Sequence, residues 1–215
     1  MNRLLNTAAG RPLRAAAGLL AAALWTFGPA AGAATVQVEV AGAGGRPLAG
    51  AVVFLESPAA AAQARPLKDV ELAQAQRRFM PEVLLVTRGT AVDFPNRDEV
   101  RHHVYSFSPA KRFELKLYIG RPANPVVFDM PGVVVLGCNI HDDMVGWVLV
   151  LDTPYYGRTD AAGRVVLRDV PPGDYQLRTW HAELPVGEPP AAAALAVGRE
   201  AAQARVRLPA VAGRP

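Results

Sequence analysis

The stretch VVVLGCNIHDDMVGWVLVL, residues 133–151, carries the most specific pattern in the sequence. Short apolar runs open and close it, and both have the length and composition of buried β-strands. The loop between them places Cys138, His141 and Met144 at a spacing of three residues. We therefore predict a strand–loop–strand unit whose loop turns a thiol, an imidazole and a thioether toward one point.

These three side chains have the ligand chemistry of a copper centre. Thiolate and thioether are soft ligands, and two His with one Cys and a weak axial Met form the electron-transfer set of blue copper sites. The second histidine must come from elsewhere in the chain, and His102 and His103 are both candidates at the start of an alternating segment. Zinc suits the pattern less well, because structural zinc sites use four Cys or His ligands and no Met.

Two other interpretations of the cysteine are weaker. A Cys–His hydrolytic pair would leave Met144 without a role, and no glycine-rich nucleophile turn surrounds Cys138. A buried free cysteine would leave the regular spacing unexplained. The chain has one cysteine and so no intrachain disulfide. In an oxidising compartment such a thiol is expected to be buried, paired with another chain or bound to metal.

The N-terminus has the pattern of an export signal. Residues 1–33 contain no acid, and three arginines lie within the first 14 positions. An apolar run follows over residues 15–27, and the segment ends on the small residues Ala31-Gly32-Ala33. This order predicts a secretory signal peptide, with the mature chain starting near Ala34 in the periplasm. The apolar run is shorter than the roughly 20 residues of a membrane span. The alternative is an uncleaved N-terminal anchor, and we expect no span in the mature chain.

The charge balance argues against a nucleic-acid partner. The whole chain has 23 Lys and Arg against 19 Asp and Glu. Three of the basic residues lie in the predicted signal, so the rest is nearly neutral, with 20 basic against 19 acidic residues. A nearly neutral body lacks the broad positive field that holds phosphate backbones.

After the predicted signal, the sequence indicates an all-β protein. Short β-rich runs alternate with Gly and Pro turns, and about a dozen strands are expected, more than one small sandwich holds. Two β domains are therefore predicted. We assign residues 57–66 to a linker, residues 70–78 to at most a turn or two of helix, and residues 189–194 to a loop or flexible tail.

The central part of the chain resembles a cupredoxin. The resemblance rests on Phe79-Met80-Pro81, on Val92-Asp93-Phe94-Pro95-Asn96, on His102 and on residues 132–149, and we assign residues 66–152 to this domain. The short Cys-x2-His-x2-Met loop is similar to that of amicyanin-like members. Residues 102–107 resemble cupredoxin-domain proteins labelled methylamine utilisation proteins.

The resemblance implies a Greek-key β-sandwich with one type 1 copper held by His102, Cys138, His141 and Met144. Amicyanin-like proteins have an Asn six residues before the first copper His, as Asn96 precedes His102, which favours His102 over His103. The implied function is a single-electron carrier without catalysis of its own. Its expected partners are a dehydrogenase or a c-type cytochrome, and we expect a monomer. The alternative is a copper-binding protein for delivery or storage, although the sequence has no Met- or His-rich tail.

The flanking segments resemble two parts of one other module. Residues 34–57 and residues 153–210 carry turn and strand patterns similar to those of carboxypeptidase-regulatory-like, or transthyretin-like, sandwiches. We therefore predict a cupredoxin domain inserted in, or fused to, a second small β-sandwich. The competing arrangement is one enlarged sandwich that shares strands between both parts.

Overall fold

Nearly all regular structure in the computed structural model, which describes residues 32–212, is β-strand. The predicted all-β class is therefore confirmed. The predicted signal peptide lies outside the described residues except for its last two positions. Among the described residues, no helix has both the length and the apolar character needed to cross a membrane.

The strands follow one another along the chain, with one 3-10 turn (Ala43–Gly45) and one short helix, α1 (Pro58–Ala61). They are β1 (Ala34–Ala41), β2 (Val52–Glu56), β3 (Val70–Glu71), β4 (Ala73–Ala75), β5 (Arg78–Met80), β6 (Val83–Thr87), β7 (Thr90–Asp93), β8 (His102–Ser108), β9 (Lys111–Tyr118), β10 (Val126–Phe128), β11 (Gly132–Leu136), β12 (Gly146–Leu151), β13 (Tyr156–Arg158), β14 (Arg164–Val170), β15 (Gly173–Trp180), β16 (Ala191–Val197) and β17 (Ala202–Arg207).

Strands from the two flanking segments share one hydrophobic core. β1 lies between β14, which is antiparallel, and β17, which is parallel. A second sheet has the order β13-β2-β15-β16. Val36, Val38 and Val40 of β1 are buried while Gln37 and Glu39 are exposed, as the strict alternation of the sequence requires. The inward residues of both sheets pack in the same cluster.

The central strands enclose a different core. Their sheets have the orders β10-β7-β3 and β11-β12-β6, with the hairpins β4-β5 and β8-β9 beside them. Phe94, Phe113 and Phe128 form an aromatic group in this core, with ring centroids 5.6 to 6.4 Å apart. Cys138 and Met144 belong to the same buried cluster. The end of this core is therefore where the ligand loop lies.

Two strands are buried on both faces, which explains why their sequences are continuously apolar. In β12, Val148 and Val150 face the central core, while Leu149 and Leu151 pack against β2. In β2, alternate residues likewise divide between the flanking core and the cluster shared with β12. A strand that must bury both faces cannot alternate between apolar and polar residues.

Two local predictions were wrong. Residues 70–78 form strands β3 and β4, the turn after β4 and the first residue of β5 rather than helix, because β3 pairs in parallel with β7 and β4 pairs with β5. Residues 189–194 enter strand β16, whose backbone pairs with β15 along its whole length. Alanine has a low β propensity, but ladder hydrogen bonds are made by the backbone. The predicted linker of residues 57–66 lies between β2 and β3, and it contains α1, capped by the Ser57 hydroxyl.

The aromatic group of the central core gives a stability prediction. Phe128 is fully buried, so Phe128→Ala should lower the free energy of unfolding by about 3–5 kcal/mol through lost burial and a residual cavity. Phe107, which is 74% exposed, provides the matched control, and Phe107→Ala should change stability by no more than about 0.5 kcal/mol. Urea unfolding measures both, and equal losses would contradict the assignment of this core.

Candidate metal centre

Three predicted ligands converge at one end of the central core. The potential ligand atoms of His102, Cys138 and His141 all lie within 4.8 Å of one another. The Nδ1 atom of His102 is 3.9 Å from the Cys138 Sγ, and the two imidazole centroids are 5.1 Å apart. His102 and Cys138 are buried, whereas His141 is partly exposed. Two residues of the loop thus meet a histidine that is distant in sequence.

Backbone pairing places His102 beside Cys138. The Tyr105 N–H donates to the Gly137 carbonyl at 3.1 Å, and the Gly137 N–H donates to the Tyr105 carbonyl at 3.0 Å. This pair joins β8, which begins at His102, to the residue before Cys138. The Tyr105 ring lies so close to Gly137 that a Cβ at this position would be 2.7 Å from it. Only glycine at position 137 allows the Tyr105 ring to lie this close to the backbone without being displaced.

The loop from Cys138 to Met144 is held by its own hydrogen bonds. The Ile140 N–H donates to the Cys138 Sγ at 3.5 Å. The Met144 N–H donates to the His141 carbonyl at 3.0 Å. Met144 is 1% exposed and packs in the same buried cluster as Cys138. The loop therefore directs its thiol and its thioether into the protein and leaves His141 at the surface.

The ring nitrogens of both histidines fit a metal at this position. His102 Nε2 is hydrogen-bonded to Asp98 at 2.8 Å, which leaves Nδ1 facing the Cys138 sulfur. His141 Nδ1 is buried and has no hydrogen-bond partner among the described residues. An unpaired buried polar atom is costly, and coordination to a metal would remove that cost. Two imidazole nitrogens with a thiol are a donor set that suits copper.

Asp98 is a site residue that the sequence analysis missed. Burial by itself would raise the pKa of Asp98, but the backbone N–H of Arg77, the His102 side chain and the backbone N–H of Gln76 together lower it. The carboxylate is therefore stabilised in its charged form beside a candidate ligand. The only sequence signal was an acid in the loop between Asn96 and His102, and exposed loops commonly contain acids.

Asn96 organises that loop. Its side-chain amide donates to the carbonyls of Val100 and Tyr118, each at 2.8 Å, and its Oδ1 accepts from the Asp98 N–H at 3.0 Å. The side chain thus closes the loop before β8 and connects it to β9. This gives a physical reason for the Asn six residues before His102.

Tyr118 is a second neighbour that the sequence did not indicate. Burial raises the pKa of this phenol to about 12, and the charge of Cys138 adds to the effect. Its hydroxyl donates to the Phe94 carbonyl at 2.6 Å and accepts from the Gln74 amide. Tyr118 therefore remains a neutral phenol at physiological pH and connects the site to β4 and to the residue after β7.

His103 points away from the site. Neighbouring residues of a strand face opposite sides, and His103 shares its side with Tyr105 and Phe107. Its Nε2 is hydrogen-bonded to Glu114 at 2.8 Å. The structure thus places His102, and not His103, with Cys138 and His141.

Similar proteins were found among solved structures, whereas no family model and no curated protein matches the chain. A purple cupredoxin from Nitrosopumilus maritimus is 24% identical and covers 39% of this chain and 100% of its own, with a TM-score of 0.34. An oxidized mutant of amicyanin is 20% identical, over 46% of this chain and 98% of its own, with a TM-score of 0.36.

A copper-containing nitrite reductase from Thermus scotoductus is 23% identical, over 52% of this chain and 28% of its own, with a TM-score of 0.36. TM-scores below 0.5 support no argument about function. The assignment of a candidate metal centre therefore depends on the geometry of the residues in this chain.

The contact between Gly137 and Tyr105 gives a prediction about the site's framework. Gly137→Ala should cost about 1–3 kcal/mol of stability, because the added methyl group overlaps the Tyr105 ring. Neighbouring rings of His103 and Phe107 restrict movement of that ring. Tyr105→Ala makes room, so Gly137→Ala should cost much less in that background. A double-mutant cycle from urea unfolding measures the coupling, and purely additive losses would contradict the contact.

Proposed function

We propose that this chain is a type 1 copper protein that carries single electrons between redox partners. In this proposal His102 and His141 bind through Nδ1, Cys138 binds through Sγ, and Met144 is the weak axial ligand. The convergence of His102, Cys138 and His141 at one point is the observation that carries it. Copper bound there would supply one-electron redox chemistry.

The residues around the site support a rigid, prearranged ligand set. Cys138 and His102 are tied together by the pairing of β8 with Gly137, and the loop is closed by the hydrogen bond between Met144 and His141. Ligands held by paired strands and a short loop keep their geometry when the charge of the site changes. This property suits electron transfer, in which the protein should not rearrange.

Burial of the ligands favours a carrier over an enzyme or a delivery protein. His102, Cys138 and Met144 are each less than 5% exposed, so a substrate or a metal-accepting protein has little direct access to them. His141 is the partly exposed residue of the set, and the neighbouring Ile140 is 48% exposed. In the proposed function, electrons enter or leave through the His141 edge when a partner protein docks there.

The sequence and the two cores support a proposal for the wider setting of the protein. The signal-like N-terminus supports a location in the periplasm, where a dehydrogenase or a c-type cytochrome would be the partner. Separate buried clusters for the flanking and the central strands support a cupredoxin domain at residues 66–152. That domain would be inserted in a transthyretin-like sandwich made of residues 34–57 and 153–210.

The visible spectrum of the copper-loaded, oxidised protein tests this function. We expect an intense absorption band from thiolate bound to Cu(II), and Cys138→Ser should abolish it because it removes the only thiol. His102→Asn should also abolish the band, whereas His103→Asn, the matched control one residue away, should retain it. A colourless loaded wild type, or equal effects of both histidine variants, would refute the proposal. A protein that binds Cu(I) but never cycles would instead indicate delivery or storage.

The acidic residues after His141 give a prediction about docking. Asp142 and Asp143 are exposed beside the proposed electron-transfer edge and would attract a basic partner. Asp142→Asn with Asp143→Asn should slow reduction by a basic c-type cytochrome about tenfold at low salt, with the difference fading at high salt. Stopped-flow kinetics measure the rate.

The control for the docking prediction removes two negative charges from a different part of the surface. Asp174→Asn with Glu200→Gln alters two exposed acids of the flanking strands and their loops. It should leave the rate nearly unchanged. Equal slowing by both double variants would show that net charge, and not the His141 edge, directs the partner.

A further inference from the structure

Two adjacent histidines each form a short hydrogen bond with a carboxylate, but only one of them lies in the metal centre. His102 Nε2 is 2.8 Å from Asp98 Oδ2, and His103 Nε2 is 2.8 Å from Glu114 Oε1. His102 has the Cys138 sulfur on its other side, whereas His103 faces away from the centre. The carboxylate of Asp98 therefore contacts a proposed metal ligand directly, whereas the carboxylate of Glu114 does not.

The surroundings of Asp98 determine which nitrogen of His102 carries a proton. The carboxylate also accepts from the Gln76 N–H at 2.6 Å and the Arg77 N–H at 2.9 Å. With N–H donors on both oxygens, the group is an acceptor only. The group that faces it on His102 is then Nε2–H, and in the neutral imidazole Nδ1 carries the lone pair on the side of Cys138.

Asp98 is itself held by the backbone of two loops. Gln76 and Arg77 form the turn between β4 and β5 with φ values of 54° and 57°, which point both N–H groups at the same carboxylate. From its own loop, the Asp98 N–H is bound by Asn96 Oδ1. The side chain is 17% exposed, so water competes little for it. The carboxylate therefore has one position relative to His102.

We propose that Asp98 is a positioning residue that locks His102 as its Nε2–H tautomer and makes it a stronger donor to Cu(II) than to Cu(I). A carboxylate hydrogen-bonded to a ligating imidazole orients the ring and raises its basicity. Its negative charge also favours the more highly charged metal ion. No described side chain forms a hydrogen bond with His141, so the two imidazoles are unequal. This inference rests on the proposed copper site and adds that Asp98 lowers its reduction potential.

Asp98→Asn tests the proposal, with Glu114→Gln as the matched control. The amide keeps an acceptor but removes the negative charge, so Cu(II) affinity should fall about 10- to 100-fold while Cu(I) affinity changes little. Each tenfold loss specific to Cu(II) raises the potential by about 59 mV, which voltammetry measures. Glu114→Gln removes the same charge from a histidine pair of equal length and should leave the potential unchanged. Equal shifts in both variants, or none in Asp98→Asn, would overturn the proposal.

A second measurement does not depend on the variant folding. Nitrogen NMR of the full-length, isotope-labelled wild type, metal-free and loaded with Cu(I), reports which ring nitrogen of His102 is protonated. Protonated Nε2 in both forms is expected, and an unprotonated Nε2 would overturn the proposal. A wild type that binds no copper would refute the proposed function instead. The tautomer of the metal-free protein would still show whether Asp98 holds His102.

Discussion

The two hydrogen bonds between Tyr105 and Gly137 are the constraint on which the metal centre depends. They join the strand that begins with His102 to the residue before Cys138, although the two ligands are 36 residues apart in sequence. The ring of Tyr105 lies against the bare backbone of Gly137, so the approach needs the absence of a side chain. The approach of His102 to the loop that begins at Cys138 depends on this pairing.

The hydrophobic packing behind the ligands gives the centre its rigidity. β12 follows the ligand loop and is buried on both faces, by the central core on one side and by β2 on the other. The loop therefore ends in one of the most constrained strands of the molecule. Close packing of this kind resists displacement, since small shifts would open cavities or create overlaps. A site built on such a strand can change its charge without a change of shape.

Electrostatics divide the centre into an inner and an outer side. On the inner side, His102 is buried and bound to Asp98, whose charge is stabilised by backbone N–H groups. On the outer side, His141 reaches the surface next to two exposed acids. In our proposal the inner carboxylate would act on the affinity of the site for the two oxidation states of a metal. The outer acids would act on the approach of partners, because surface charges contribute more to association rates than to stability.

The sequence alone determined the all-β class and the donor types of the ligand loop. This was possible because Cys138, His141 and Met144 lie within seven residues between two apolar runs, so their proximity is a local property. The sequence of a single segment did not predict the correct secondary structure where pairing with a distant strand decided it. Strand β3 forms because it pairs with β7, and the alanine-rich β16 forms because it pairs with β15.

Tertiary structure decided which histidine joins the loop and what holds it. The spacing from Asn96 favoured His102 over His103 only through a resemblance, and the packing of β8 shows which of its two faces points inward. Asp98 acquires its role from the turn at Gln76 and Arg77, more than twenty residues away. Contacts of this kind depend on how separate strands pack together, and no periodicity or spacing within a single segment specifies them.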